Sequence, residues 1–281
     1  MSELSVTIID VGWGDSILVE SVDDAGVRRF GLVDCNDYEY LRSGLIFVKR
    51  RLERLQIDYD NHKPNFEWVL LTHGHADHAR GLKRMMATFG TRHFWYPKSL
   101  TSTTHGTLLH YANRSRLVGH HQAIDHSKRL EAPEVEFGDV EMEVLWPDHN
   151  QIDPTEENNN SVVLSLTLGD RSFVLTGDCE ANNWPAITPR LPKHVAAFQV
   201  PHHGGRNGVF NNRDDTPWLD HLAADKTRLV LSSHIRPHGH PHEDVVDAID
   251  DRHFASYRTD LHYHVTVSTD GTDVDVQYSH V

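Results

Sequence analysis

The chain has 281 residues, of which 38% are hydrophobic and 9% aromatic. This content suffices for a hydrophobic core and argues against a disordered chain, while no window approaches the unbroken apolar run of a membrane-spanning helix. The formal net charge of −14 argues against a surface that coats nucleic acid. Bound divalent metals would nevertheless add local positive charge that this count omits.

Two features of the sequence bear on the cellular compartment. The N-terminus, MSELSVTIID, has no basic segment and passes directly into a predicted strand, so we expect no signal peptide. Cys35 and Cys179 are the only cysteines, too few for a disulfide framework. Both observations favour a cytoplasmic protein.

The predicted elements alternate between strands and helices along the chain. The first part has predicted strands at 4–10, 16–21, 29–33, 66–71 and 92–97, and predicted helices at 40–55 and 79–89. Residues 99–132 are polar and rich in histidine, and we interpret them as a helix with loops. Further strands are predicted at 135–137, 140–146, 162–168, 172–176, 195–200 and 228–233, and a helix at 243–249 is followed by closing strands at 265–268 and 274–278.

No linker in the sequence is long or polar enough to divide the chain. Each half has strands with helices between or after them, which indicates two sheets packed together with helices outside. We therefore expect one domain over residues 1–281.

Histidine is the most unusual part of the composition, with 23 copies. Most histidines in proteins are ordinary surface or half-buried side chains. Here they cluster at 73–78, 120–126, 202–203, 234–242 and 262–264, and clustering is what a metal site requires.

The segment LTHGHADHARGL carries the strongest chemical signal, because three histidines and an aspartate follow a predicted strand directly. Alternation in an extended segment directs His73 and His75 to the same side, so they can bind one metal together. Asp77 and His78 lie where the chain enters a helix and suit a second metal nearby. Imidazole and carboxylate ligands without thiolates favour zinc, iron or manganese, and argue against a purely structural zinc.

The pattern H-x-H-x-D-H is the signature of the metallo-β-lactamase-fold hydrolases, and the chain resembles that superfamily. More narrowly, it resembles the soluble domain of the DNA-uptake competence (ComEC-like) group, which has the same order of short motifs: DVGWGDSI, VDCN, THGHADHARGL, NNNSVVLSL, LTGD, VPHHGG, HGHPH and YRTD. Members of that group carry this domain after a membrane channel, which this sequence lacks, so we expect a free-standing soluble relative. The resemblance implies an α+β fold, the four-layer αββα sandwich of the metallo-β-lactamase type.

The resemblance also implies further site residues. Asp178 in LTGD matches an aspartate that bridges two metals. In VPHHGG one histidine is a metal ligand, for which we favour His203, and His202 is an acid or hydrogen-bond donor. His240 in HGHPH matches a ligand or a contact to the substrate oxyanion. The predicted metal ligands are His73, His75, Asp77, His78, Asp178 and His203, and the predicted catalytic residues are Asp77, His202 and His240.

The sequence departs from the family pattern at NNNS, where many members have a further histidine ligand. A side-chain oxygen of Asn159 or Asn160, or water, would fill that position. Asp15 in GWGD either orients a ligand histidine or fixes the turn. Alternation turns Cys179 away from the site, and we interpret it as a small core residue.

These residues predict a pair of divalent metals, zinc or manganese, sharing a hydroxide that attacks the substrate. The competence-group resemblance favours a phosphodiesterase or nuclease acting on DNA, RNA or nucleotides, with no membrane partner. Two alternatives remain: a lactonase or β-lactamase that attacks a carbonyl, and a non-catalytic metal-binding module that kept the fold.

Overall fold

The computed structural model describes residues 1–59, 63–100, 102–130, 134–153 and 155–278. The strands in these ranges are β1 (Glu3–Ile8), β2 (Ser16–Val22), β3 (Arg28–Cys35), β4 (Phe66–Leu70), β5 (Thr91–Pro97), β6 (Val118–Ile124), β7 (Arg129–Leu130), β8 (Glu141–Trp146), β9 (Val163–Leu168), β10 (Arg171–Leu175), β11 (Val195–Gln199), β12 (Arg228–Leu231), β13 (Ala255–Arg258), β14 (Val265–Thr269) and β15 (Val274–Tyr278). The helices are α1 (Ser43–Arg54), α2 (Ala76–Ala79), α3 (Leu82–Phe89), α4 (Ser102–Arg114), α5 (Trp184–Ile187), α6 (Arg206–Val209), α7 (Glu243–Asp251) and α8 (Thr259–His262).

The strands form two mixed sheets. The first has the order β15-β14-β1-β2-β3-β4-β5-β6, and the second has the order β13-β12-β11-β10-β9-β8-β7. Strands β3 to β6 are parallel, as are β10 to β13, whereas the remaining neighbours are antiparallel. Because neighbouring parallel strands end at the same edge, the loops that follow them are brought together.

The packing gives four layers. A core of buried side chains such as Trp68, Trp95 and Leu166 lies between the two sheets. A second core covers the outer face of the first sheet, where α3 contributes Leu82, Met85, Met86 and Phe89 at helical spacing. A third core packs α5 and α7 on the second sheet. The predicted four-layer αββα sandwich is confirmed.

Several predicted elements differ from those observed. The helix predicted at 79–89 is two helices, because the N–H of Gly81 donates to the carbonyl of Cys35 at 2.7 Å and breaks the run. The predicted strand at 135–137 contributes only an isolated bridge. Residues 99–132 contain β6 and β7 besides α4, and residues 101, 131 and 132 of that segment lie outside the described residues. Strand β13 was not predicted.

The histidine-rich strand β6 escaped prediction because it is the edge of the first sheet. Its five middle residues, 119–123, are exposed or half-buried, so polar residues such as His120 and His121 are tolerated there. Among the helices of the described ranges, none is both long and apolar enough to cross a bilayer.

Candidate metal centre

Loops from both sheets meet where β4, β10 and β11 end. The N–H of Val162 donates to the carbonyl of Thr72 at 2.9 Å, which ties the loop after β4 to the segment before β9. The N–H of His202 donates to the carbonyl of Gly177 at 3.1 Å, which ties the loop after β11 to the loop after β10. These bonds place His73, Asp178 and His203 next to one another.

The loop after β4 folds its side chains into a compact cluster. His73 and His78 are fully buried with ring centroids 4.2 Å apart, whereas His75 is exposed and lies 4.8 Å from His73. Helix α2 starts at Ala76 directly after His75. The turn into the helix therefore packs His78 against His73 and leaves His75 on the exposed side of the loop.

The two carboxylate oxygens of Asp178 face different partners. Its Oδ2 lies 3.7 Å from Nε2 of His73 and 3.6 Å from Nε2 of His202. Its Oδ1 lies 3.3 Å from Nε2 of His78 and 3.5 Å from Nε2 of His203. Asp178 thus stands between two groups of imidazoles.

Two groups of ligand atoms result, each with all its atoms within 4.8 Å of one another. They are His73, His75 and Asp178, and Asp77, His78 and His203. In the second group, Oδ2 of Asp77 lies 3.9 Å from Nε2 of His78 and 3.7 Å from Nε2 of His203. These separations approach the roughly 3.3 Å expected between two ligand atoms that each lie about 2.0–2.1 Å from a tetrahedral metal.

The buried polar atoms of these groups fit a divalent metal. The Nε2 atoms of His73, His78 and His203 and the Oδ1 atom of Asp178 are buried and have no hydrogen-bond partner within the described ranges. Buried polar atoms are normally paired, so a cluster of unpaired ligand atoms calls for an ion. All six ligands predicted from the sequence lie in this cluster.

The loop after β11 separates the two histidines of VPHHGG. Both His202 and His203 have positive φ, 53° and 56°. His203 is buried in the second ligand group, whereas His202 is 17% exposed and points its Nε2 toward the Asp178 oxygen shared with His73. The left-handed turn therefore gives the two side chains different environments.

His240 lies beside this centre. Its ring is half-buried, 5.8 Å from the ring of His202 and 5.2 Å from the indole of Trp13. Burial, and the neighbouring His202 and His203, lower the pKa of His240 to about 4. Its imidazole is therefore neutral at neutral pH.

Trp13, to which the sequence analysis assigned no role, forms an aromatic wall with its neighbours. Its ring centroid lies 4.7 Å from that of His203 and 4.5 Å from that of His238. The tryptophan in DVGWGD was the one sequence feature that could have predicted this wall. Only the fold brings the HGHPH segment against it.

The NNNS segment is held beside the site by hydrogen bonds. The Oδ1 of Asn160 accepts a hydrogen bond from the N–H of Asp153 at 2.8 Å, and the Oδ1 of Asn159 accepts one from Asn183 at 2.8 Å. The hydroxyl of Ser161 accepts from the N–H of Asp178 at 3.1 Å. Each amide oxygen thus already has a donor within the protein, and the ligand that fills this position, an asparagine oxygen or water, stays a prediction.

Asp34 is a site residue that sequence reasoning missed. It is fully buried, and its Oδ2 accepts hydrogen bonds from Nδ1 of His78 at 2.7 Å and from the hydroxyl of Thr72 at 2.6 Å. Its Oδ1 accepts from the N–H of Thr72 at 2.8 Å. The strand-end aspartate in VDCN was the signal that could have identified it.

Asp15 lies between the GWGD turn and the ligand histidine His203. Its N–H donates to the carbonyl of Asp77 at 3.2 Å, which holds the GWGD turn against the ligand loop. Its carboxylate accepts from Gln199 at 2.7 Å and lies 3.5 Å from Nδ1 of His203. The Nδ1 of His203 itself donates to the carbonyl of Ser232 at 2.9 Å, which directs Nε2 into the centre.

Glu157 and Cys179 are two further residues close to the centre. The Oε1 of Glu157 accepts from the N–H of Gly74 at 2.9 Å, and a Cβ at position 74 would lie 2.8 Å from that oxygen, so a larger residue would displace the Glu157 side chain. Cys179 is buried in the outer core of the second sheet with Trp184. Burial raises the pKa of its thiol, so it is not a nucleophile.

The ionisable groups of the centre shift one another's pKa values. Burial by itself lowers the pKa of His203, but the carboxylates of Asp178 and Asp15 outweigh it and raise that pKa to about 9. Burial likewise opposes charge on His78, yet Asp178 and Asp34 raise its pKa well above the usual range. A metal entering the second group must therefore displace protons from imidazole nitrogens.

A sequence model of the Metallo-beta-lactamase superfamily matches residues 62–251. The chain belongs to this superfamily. Members are metal-dependent hydrolases, and the chain shares their hydrolase-type fold and metal-binding character.

Two relatives extend the comparison. The chain is 24% identical over 265 residues to ComE operon protein 3 of Bacillus subtilis (strain 168), covering 92% of this chain and 32% of the relative, which supports the ComEC-like grouping. It thus spans about a third of that relative's length. The crystal structure of Zn(2+)-bound PqqB from Methylobacterium extorquens has the same fold, with a TM-score of 0.51 at 13% identity, covering 92% of this chain and 98% of that one.

Proposed function

We propose that the chain is a phosphodiesterase or nuclease that uses two divalent metals, zinc or manganese, and acts on nucleic acid or nucleotides. The observation that carries the proposal is the position of Asp178, whose two oxygens face two separate groups of unpaired ligand atoms. The proposal treats residues 1–281 as one catalytic domain. A cytoplasmic location is part of it, supported by two free, buried cysteines.

Each metal has its own set of ligands in this proposal. His73 and His75 would hold the first, Asp77, His78 and His203 would hold the second, and Asp178 lies between the two groups as a ligand they would share. When bound, such metals supply a water that is deprotonated near neutral pH and positive charge for the phosphoryl oxygens.

The chain's own residues position and transfer protons. Asp34 and the carbonyl of Ser232 hold His78 and His203 with their Nε2 atoms facing inward. His202, accessible and close to Asp178, is the candidate to protonate the leaving oxygen. Neutral His240 is the candidate to donate a hydrogen bond to a phosphoryl oxygen. Burial opposes charge on Asp77, but His203 and His78 lower its pKa, so it is placed in the centre as a carboxylate.

The surroundings support a nucleotide-containing substrate. The half-buried indole of Trp13 and the exposed ring of His238 form an aromatic face beside the centre, suited to stack a base. The motif resemblance to the DNA-uptake competence group, which the similarity to ComE operon protein 3 supports, favours the same substrate class. With a net charge of −14, binding would depend on the metals and this face rather than on a basic surface.

The test is hydrolysis of bis(p-nitrophenyl) phosphate and of single-stranded DNA with added Mn²⁺ or Zn²⁺. We expect turnover by the wild type and a loss of about 100-fold or more in Asp178→Ala. Asp170→Asn, which changes an exposed turn aspartate after β9, is the matched control and should retain activity.

The same preparation separates the alternatives. No turnover above the Asp178→Ala level in either metal overturns the proposal, and turnover of a chromogenic cephalosporin instead indicates a carbonyl hydrolase. Less than one equivalent of tightly bound transition metal, measured by elemental analysis, indicates a non-catalytic module.

A further inference from the structure

A second cluster of metal-binding side chains lies apart from the centre, where strands of the two sheets end. His126 follows β6 at the edge of the first sheet, and Asp148 and His149 follow β8 in the second sheet. The N–H of His126 donates to the carbonyl of Pro147 at 3.0 Å, so the two loops are already joined. Nothing in the proposed function uses these residues.

The geometry of the cluster matches a metal site. The Nε2 of His126 lies 3.8 Å from Oδ2 of Asp148, and the Nδ1 of His149 lies 3.4 Å from Oδ1 of Asp148. One ligand atom from each residue lies within 4.8 Å of the other two. Since ligand atoms of a tetrahedral zinc lie roughly 3.3 Å apart, small side-chain rotations suffice for binding.

The two imidazoles are placed to close on one ion. Their rings are nearly parallel, with 20° between the planes and 5.5 Å between the centroids. Two histidines and one carboxylate form a nitrogen and oxygen donor set that suits zinc and neighbouring transition metals and not magnesium or calcium. Asp148 is 17%, His126 26% and His149 49% exposed, so an ion can enter from solvent.

The neighbouring side chain of Arg190 limits the affinity of this cluster for metal. The guanidinium of Arg190 lies 3.2 Å from Oδ2 of Asp148 and also donates to the carbonyl of Leu145 at 3.1 Å. It holds the carboxylate in place but opposes a second positive charge. The cluster should therefore bind metal more weakly than the main centre and fill after it.

We infer that His126, Asp148 and His149 form an additional zinc-binding site that links the loop after β6 to the loop after β8. Because β6 and β8 belong to different sheets, a bound ion cross-links the two sheets at their shared rim. An ion that binds the folded chain and not the unfolded one raises the unfolding temperature. The site therefore has a readout that is independent of any hydrolytic activity.

The experiment compares wild type with His126→Ala/His149→Ala after removal of metal with a chelator. Equilibrium dialysis against Zn²⁺, followed by elemental analysis, should show one equivalent fewer in the double variant. The Zn²⁺-dependent rise in unfolding temperature should be smaller in the same variant. His221→Ala, which removes an exposed histidine elsewhere, should behave as wild type in both measurements.

A variant with a single substitution controls for misfolding of the double variant. His149 is half-exposed, so His149→Ala should fold normally and weaken binding of that one equivalent at least tenfold. Equal Zn²⁺ stoichiometry and equal thermal shifts in wild type and both variants would overturn the inference. The test compares Zn²⁺ stoichiometry and thermal shift between wild type and these variants. Failure of the inference is therefore distinguishable from failure of the main centre to bind metal or to hydrolyse substrate.

Discussion

The Nδ1 atom of His78 donates a 2.7 Å hydrogen bond to the Oδ2 atom of Asp34, although 44 residues separate them in the chain. Both side chains are fully buried. Because Nδ1 is the donor, Nε2 of the neutral imidazole is left with a lone pair directed at Asp178. Asp34 thereby selects the tautomer that can bind a metal.

Asp34→Asn should weaken metal binding about 10–100-fold, the range expected when a ligand histidine loses its orienting carboxylate. The measurement is competition for Zn²⁺ with a chromophoric chelator. Asp37→Asn is the control: Asp37 is equally buried, but it accepts the N–H groups of Gly44 and Leu45 at the start of α1. It should lower the unfolding temperature and leave the affinity unchanged. An equal loss of affinity in both variants would count against an orienting role.

Metal loading should release protons. In the metal-free protein the pKa of His203 is raised to about 9 and that of His78 is also raised, so both imidazoles hold a proton more tightly than usual. Metal binding requires the neutral forms, and apparent affinity should therefore increase as pH rises toward about 9. Calorimetry of Zn²⁺ binding in buffers of different ionisation enthalpy measures the protons released. A value of zero at neutral pH contradicts the prediction.

Trp13→Leu should raise the KM for single-stranded DNA about tenfold, because stacking of one base on an aromatic side chain contributes about 1–3 kcal/mol. The indole lies beside His238 and His240 at the edge of the centre. Trp13→Tyr keeps an aromatic face and should recover most of the loss. Steady-state kinetics on normal and abasic oligonucleotides provide the comparison. Equal effects on the two substrates would exclude stacking as the cause.

Asp125→Asn should destabilise the fold at neutral pH by about 1 kcal/mol. Burial opposes the charge on Asp125, but hydrogen bonds from Lys98 and Ser127 outweigh it and lower its pKa to about 2. A depressed pKa stabilises the fold above the unfolded value of about 3.9, and this stabilisation is lost as pH falls toward about 2. The destabilisation is modest because Lys98 is 42% exposed and the pair is screened by solvent.

Urea unfolding at several pH values tests this ion pair. The stability difference between wild type and Asp125→Asn should be full at pH 6–7 and should shrink below about pH 4. Asp170→Asn should show little difference from wild type at any pH. A difference that does not change with pH would mean that charge is not the cause.

The local pattern of apolar residues was enough to predict the strands that lead into the site. Strands β4, β10 and β11 are buried apolar runs that end at a histidine or aspartate motif, and their predicted ends agree with the structure within one residue. The exposed edge strand β6 and the short strand β13 were missed, because their side chains do not form apolar runs. Asp34 and Trp13 were missed because their partners are distant in sequence.

The sequence by itself determined which side chains are available for metal binding and that each follows a strand. Spacing alone placed His73 with His75 and set Asp77 and His78 apart from them, because alternation and the helix start are local effects. The tertiary structure decided how these groups meet. It inserted Asp178 between them, turned His202 and His203 into different environments, and aligned Asp34 behind His78. Those relationships depend on how the two sheets pack at their shared edge. No local sequence pattern encodes the distance between residues that lie in different sheets.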